Sequence, residues 1–332
     1  MINRRRFLLT SLAGALAAPV GAETQQTAKV ARVAYVVTTS PVSEMTGPDP
    51  RHPLTRDLLK ALGALGWIEG RNLILERRSA EGRFERFGDI LRELVGLPCD
   101  VIVTTGATMT EEALRITQTI PIVFTALDPI VLGFVTSLAR PNRNITGVMG
   151  AGPEFEGKRL ELLRQALPKA RRVAVLTSAN NWNSAYGEAL RDAANRLGMN
   201  LLYTESGPSD YSRAFASITR QRAEAIYVAA GPYLFADRHH LIEFAATNRL
   251  PLMGQSRPFT EAGALMSYTG NQSHVWGRIA SYVDRILRGA KPADLPIEQV
   301  SLFELVINLK TAKTLGLTIP PSLLARADQV IE

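Results

Sequence analysis

Asp100-Val-Ile-Val103 and Glu224-Ala-Ile-Tyr227 are the same short phrase written twice, an acid followed by an apolar run. Further along, Ile120-Pro-Ile122 is echoed by Leu250-Pro-Leu252, and upstream Leu65-Gly66 is echoed by Leu197-Gly198. The partners lie 124, 130 and 132 residues apart, so one unit recurs at nearly constant spacing. Within each unit, short β-branched runs alternate with stretches of helical periodicity, the pattern of doubly wound α/β units. Several runs are apolar throughout, as strands buried on both faces of a parallel sheet must be.

Working outward, the spacing predicts strands at Val30–Val37, Leu73–Arg77, Val101–Thr104, Ile120–Thr125 and Ile145–Met149 in the first unit. The second unit offers Arg172–Leu176, Asn200–Thr204, Ala225–Ala229, Pro251–Gly254 and Ala264–Tyr268. Helices are expected at Ile130–Leu138, Phe155–Leu167, Val275–Leu287 and Glu304–Leu315, among others. The tail exceeds a simple tandem, and residues 274–296 are expected to complete the first lobe. The lobes are then 30–147 with 274–296, and 152–268 with 303–332. The chain crosses between them near 148–153, 268–273 and 296–303, an arrangement suited to a clamp.

The first residues stand apart. Arg4-Arg5-Arg6 precedes an apolar run from Phe7 to Val20, closed by Gly21-Ala22. This is the order of an export signal, with a twin-arginine flavour, and residues 1–22 are expected to be removed. The run is shorter than the roughly 20 residues a spanning helix needs, which argues against a membrane anchor. Removal takes three arginines and lowers the formal charge from +7 to +4, with no basic run to suggest nucleic acid. With 332 residues, 46% hydrophobic and 21% charged, the chain has the composition of a folded two-domain protein. Cys99 is the only cysteine, so no disulfide framework exists, and burial as a small hydrophobe is its expected role.

Catalytic motifs fail on inspection. Gly152-Pro-Glu-Phe-Glu-Gly157-Lys158 approaches a phosphate loop, but Arg159 stands where a metal-binding hydroxyl is required and two glutamates oppose phosphate. It is read as a hinge loop leading into a helix. Gly254-Gln-Ser256-Arg-Pro258 begins like a nucleophile elbow and loses the second glycine to Pro258. The histidines, His52, His239, His240 and His274, form no ligand pattern. No enzyme, cofactor or metal is therefore expected. What remains is a set of polar loops after the strands, where ligands of open parallel sheets sit. They are Thr38–Ser40, Thr104–Thr108, Thr125–Asp128, Thr177–Ser184, Ala229–Tyr233 and Gln255-Ser256, with Trp182, Tyr186, Tyr233 and Tyr268 as apolar walls. Their Ser, Thr, Asn and Asp residues equally suit helix caps.

The segments Leu65-Gly-Trp-Ile-Glu-Gly-Arg-Asn72, Glu76–Gly82, Ile120–Phe124, Asp128-Pro129, Leu138–Pro141, Asn144–Gly147, Lys158–Leu163 and Gly263–Tyr268 together resemble one family. It is the periplasmic substrate-binding proteins of ABC transporters, in the group with tryptophan- and tyrosine-binding members. The resemblance spans roughly residues 30–330. It implies the type I periplasmic binding fold, two Rossmann-like lobes with a ligand cleft between them. It implies as ligand an amino acid or similar small carboxylate. Matched loop by loop, it places Ser40, Gly106, Ala107 and Asp128 in the first lobe's cleft, and Asn180, Asn183, Ser184, Gly231 and Tyr268 in the second lobe and hinge. Trp182 departs from the family pattern and is expected to fill part of the pocket. A periplasmic monomer serving a membrane permease with its ATPase follows as the expectation. The alternative is a ligand sensor docking on a membrane signalling protein.

Overall fold

The computed structural model describes residues 30–206 and 210–332, so the expected export signal at 1–22 lies outside the described residues. The strands in chain order are β1 (Ala31–Val37), β2 (Leu73–Ser79), β3 (Val101–Thr105), β4 (Ile122–Ala126), β5 (Ile145–Met149) and β6 (Arg172–Thr177). They continue as β7 (Asn200–Glu205), β8 (Ala225–Val228), β9 (Leu252–Gly254), β10 (Met266–Gly270), β11 (Glu298–Gln299), β12 (Phe303–Asn308) and β13 (Gln329–Ile331).

They form two sheets, and the duplication seen in the sequence is written in the strand order. The first sheet runs β11-β5-β4-β3-β1-β2, the second β13-β12-β10-β9-β8-β6-β7. Stripped of late additions, each is the same doubly wound 2-1-3-4-5 arrangement. All pairings in the first sheet are parallel, and in the second only β10 with β12 is antiparallel. Apolar clusters cover both faces of each sheet: Val33, Tyr35 and Val103 face one layer, Val36, Ile102 and Phe124 the other. Val173, Val175 and Tyr227 oppose Ala174, Leu176 and Ile226 in the same way. That two-sided burial is why these strands read as unbroken apolar runs.

The late segments stitch the sheets together. After β5 the chain passes into helix Glu154–Ala166 and the second sheet. After β10 it returns, and helix Gln272–Leu287 packs with the first sheet. Trp276 meets Tyr35 edge-on at 5.5 Å, and Trp67 Nε1 donates to Asp284 at 2.9 Å. β11 then joins β5, and β12 crosses back to β10. Gly147 in β5 has no room for a side chain, since a Cβ would collide with the Phe124 carbonyl of β4.

Two expected helices are corrected. Glu304–Leu315 is strand β12 followed by a short helix, Leu309–Thr314. Leu305, Val306 and Ile307 are all buried, so the run reflects a strand covered on both faces rather than one helical stripe. Asn308 ends it, accepting from the Thr311 N–H at 3.0 Å. Residues 130–138 form turns, not a helix. Asp128 Oδ1 accepts from the Ile130 N–H at 2.8 Å, an Asx turn that competes with helix, and Gly133 takes φ +72°.

Candidate functional site

A crevice of about 150 Å³ opens between the two sheets where the hinge segments cross. Thr125 and Leu127, at the end of β4 and just beyond it, form its first-lobe wall, and Ala230 and Gln255 its second-lobe wall. Gly150, Ala151, Gly270, Gln272 and Val300 bring the three crossings to it. Its position at the C-terminal ends of parallel strands is the one the fold class favours for ligands.

Each crossing also contributes an aromatic ring. Phe155 stacks on Tyr268 at 4.8 Å and on Phe303 at 4.7 Å, and Tyr268 and Phe303 lie 5.8 Å apart. Phe155 and Tyr268 line the crevice, giving it a flat apolar floor. Burial raises the Tyr268 hydroxyl above its ordinary pKa, so it is a neutral donor at physiological pH. Tyr186, at the start of helix Ala185–Leu197, spans the gap. Its hydroxyl donates to the Ala151 carbonyl at 3.3 Å and accepts from the Asp128 N–H at 3.4 Å. Burial, the largest cause, pushes that hydroxyl up to about 12.

The same crevice is lined by a buried charge pair, Glu156 and Arg159, on helix Glu154–Ala166. Arg159 is 2% exposed. Its Nη1 lies 3.4 Å from Glu156 Oε2, and its Nη2 donates to the carbonyls of Val228 at 3.0 Å and Gly254 at 2.9 Å. The guanidinium lies 4.4 Å from the centre of the Tyr227 ring, and the Tyr227 hydroxyl donates to Glu156 Oε2. Burial dominates in holding that hydroxyl protonated. Arg159 thereby gathers the ends of β8 and β9 on the same side as the crevice.

The residues expected from sequence distribute unevenly around this space. Tyr268 lines the crevice directly. Ser40 is half-buried after β1, and Gly106 and Ala107 open helix Ala107–Ile116 after β3. Asp128 caps its turn beside Tyr186. Asn180 and Asn183 are exposed, while Ser184 caps helix Ala185–Leu197 by accepting from the Tyr186 N–H at 3.3 Å. Gly231 exchanges two hydrogen bonds with the Gln255 side chain, at 3.0 and 3.1 Å. Tyr186 and Tyr268 are walls as expected from their loops, whereas Tyr233 donates to the Ser206 carbonyl away from the crevice. Trp182 does not fill the crevice: its ring stacks on Tyr203 at 4.9 Å with the Arg191 guanidinium over it. Sequence reasoning missed Phe155, Glu156, Arg159 and Gln272. The first three lie in or beside the failed phosphate loop, where the only signal was a helix starting at a hinge.

Among the described residues, no group of acids, histidines and cysteine could hold a metal, and no helix is long and apolar enough to cross a membrane. Residues 42–331 match the family model described as ABC transporter substrate binding protein, whose members are solute-binding proteins, not enzymes. A tyrosine-binding protein of Clostridioides difficile (strain R20291) is 24% identical over 267 residues, covering 79% of this chain and 76% of that one. A conserved domain protein from Vibrio cholerae O1 biovar El Tor has a solved structure with a TM-score of 0.80 and 28% identity, covering 91% of this chain and 100% of that one. An ABC domain in complex with L-Trp from Streptococcus pneumonia follows at a TM-score of 0.79 and 22% identity, covering 91% and 99%.

Proposed function

The chain belongs to the ABC transporter substrate-binding protein family, and from that premise we propose that it captures an aromatic amino acid by closing two lobes around it. It then hands the ligand to a membrane permease driven by an associated ATPase. The observation that carries this reading is the aromatic floor of the crevice, Phe155 stacked on Tyr268 at 4.8 Å where the hinge segments meet. A flat apolar surface beside polar loops is what an amino acid with an aromatic side chain requires. The relatives support the ligand class, one being a tyrosine-binding protein and another holding L-Trp.

In this proposal the moving bodies are residues 30–147 with 274–296 and residues 152–268 with 303–332. Tyr268 touches the ligand, and Ser40, Gly106, Ala107, Asp128, Asn180, Asn183, Ser184 and Gly231 form the rim. The protein works as a monomer in the periplasm after residues 1–22 direct its export and are cleaved. A thermal-shift screen of the twenty amino acids tests the ligand class, because a ligand that binds only the folded state raises the melting temperature. L-tryptophan, L-tyrosine or L-phenylalanine should give the largest rise. A screen in which aromatic amino acids do nothing overturns the reading.

A further inference from the structure

Among the side chains that line the crevice, only Glu156 and Arg159 carry formal charge, and their atoms meet the space differently. The Arg159 guanidinium is committed to protein through Glu156 and two strand-end carbonyls. Its Nε–H is buried and has no hydrogen-bond partner among the described residues. Glu156 is the converse case. Its Oε2 is held by Arg159 and by the Tyr227 hydroxyl, while Oε1 accepts no hydrogen bond from the described residues and is not among the sealed atoms. The carboxylate is clamped at one oxygen and offers the other.

We propose that Glu156 Oε1 receives the ligand's ammonium group, which makes the crevice selective for molecules carrying a primary amine beside their carboxylate. The proposal rests on the amino-acid reading above and adds the atom that makes the choice. An ionised carboxylate is acceptor-only, and its strongest partner is a charged N–H donor. Clamping by Arg159 and Tyr227 fixes the oxygen before ligand arrives, so little ordering is required on binding. A deaminated acid of the same shape brings no ammonium donor, leaving Glu156 Oε1 without a partner.

The test uses calorimetry on the full mature chain with four probes. These are L-tryptophan, L-tyrosine, and their counterparts lacking the amino group, 3-(indol-3-yl)propanoate and 3-(4-hydroxyphenyl)propanoate. The amino acids should bind about 100-fold or more tighter than the counterparts. Glu156→Gln keeps shape and an acceptor oxygen but removes the charge. It should weaken amino-acid binding by about 30-fold or more and leave the counterparts within about threefold. Tyr227→Phe removes a hydrogen bond from the same carboxylate while retaining its charge, so it should preserve the discrimination even where it lowers stability. Counterparts that bind wild type as tightly as the amino acids overturn the proposal alone. So does parallel weakening of all four probes in both variants, which would mark a structural role. If none of the four binds and L-phenylalanine does not bind either, the amino-acid reading falls and the proposal falls with it.

Discussion

Asp128 follows Leu127, which lines the crevice, and has one carboxylate oxygen occupied, Oδ1 accepting from the Ile130 and Val131 N–H groups at 2.8 and 3.4 Å. Asparagine presents the same oxygen and caps about as well, so Asp128→Asn should leave unfolding free energy within about 0.5 kcal/mol of wild type. A charge on a rim acts mainly on encounter and is screened by salt. The variant should thus weaken L-tryptophan binding about threefold at low ionic strength and scarcely at all in about 0.5 M salt. Identical affinities at both ionic strengths would confine Asp128 to its turn. The loop after β4 was legible, because a strand-end acid followed by proline is a recognisable loop signal. Glu156 and Arg159 were not. Spaced i to i+3 on a helix, they look like an ordinary exposed ion pair. Only the tertiary structure buries Arg159 against Tyr227 and the ends of β8 and β9. Trp182 misled for the same reason, since its sequence position cannot reveal that Tyr203 on β7 offers its ring a stacking partner.

At the level of elements, caps decide where helices begin beside the crevice. Ser184 opens helix Ala185–Leu197 by accepting from the Tyr186 N–H while donating to the Asn181 carbonyl at 2.7 Å. Ser184→Ala should cost about 1 kcal/mol of stability, read from urea midpoints, because an orphan N–H loses its partner. Ser184→Asp should recover most of that loss, and failure to recover it would show that the hydroxyl's bond to Asn181 matters more than the cap. Most parallel strands of both units were legible because they are short, apolar and bounded by turn residues. Residues 304–308 were not, since a strand buried on both faces and a buried helix segment share one sequence pattern. Pairing of β12 with β10 settled the matter. Residues 130–132 failed as a helix because their apolar side chains remain exposed, Val131 at 70%, so no stripe faced a core. The duplication was the most legible feature of all, since equal spacing of landmarks survives errors in any single boundary.

Across the whole molecule, charge on one lobe is felt on the other, and His52 makes stability sensitive to acid. His52 precedes helix Pro53–Ala64 in the first lobe, is 4% exposed, and pairs its Nδ1 with Thr55 Oγ1 at 2.8 Å. Burial first, and then the positive field of Arg238 from the second lobe, lower its pKa from 6.5 to about 4. Arg238 is itself held less basic by burial, with Glu44 of the first lobe opposing that effect. Between pH 6.5 and about 4 the unfolded chain binds a proton at His52 that the folded chain excludes, so stability falls as pH falls through this window. Above 6.5 both states are neutral there and the contribution is complete. Below about 4 both are protonated and the loss levels off at roughly 3 kcal/mol, each pH unit across that window being worth about 1.36 kcal/mol. His52→Gln removes the titrating group while leaving a polar side chain for Thr55. Urea unfolding at about pH 7.5, 5.5 and 4.0 should show wild type losing up to about 3 kcal/mol more than the variant, most of it between pH 6.5 and 4. Because Arg238 reaches this group from the other lobe, Arg238→Gln should raise the His52 pKa and shrink the loss of stability on acidification. Parallel pH curves for wild type and His52→Gln would show that His52 carries its proton equally in both states, and the acid sensitivity would have to come from elsewhere.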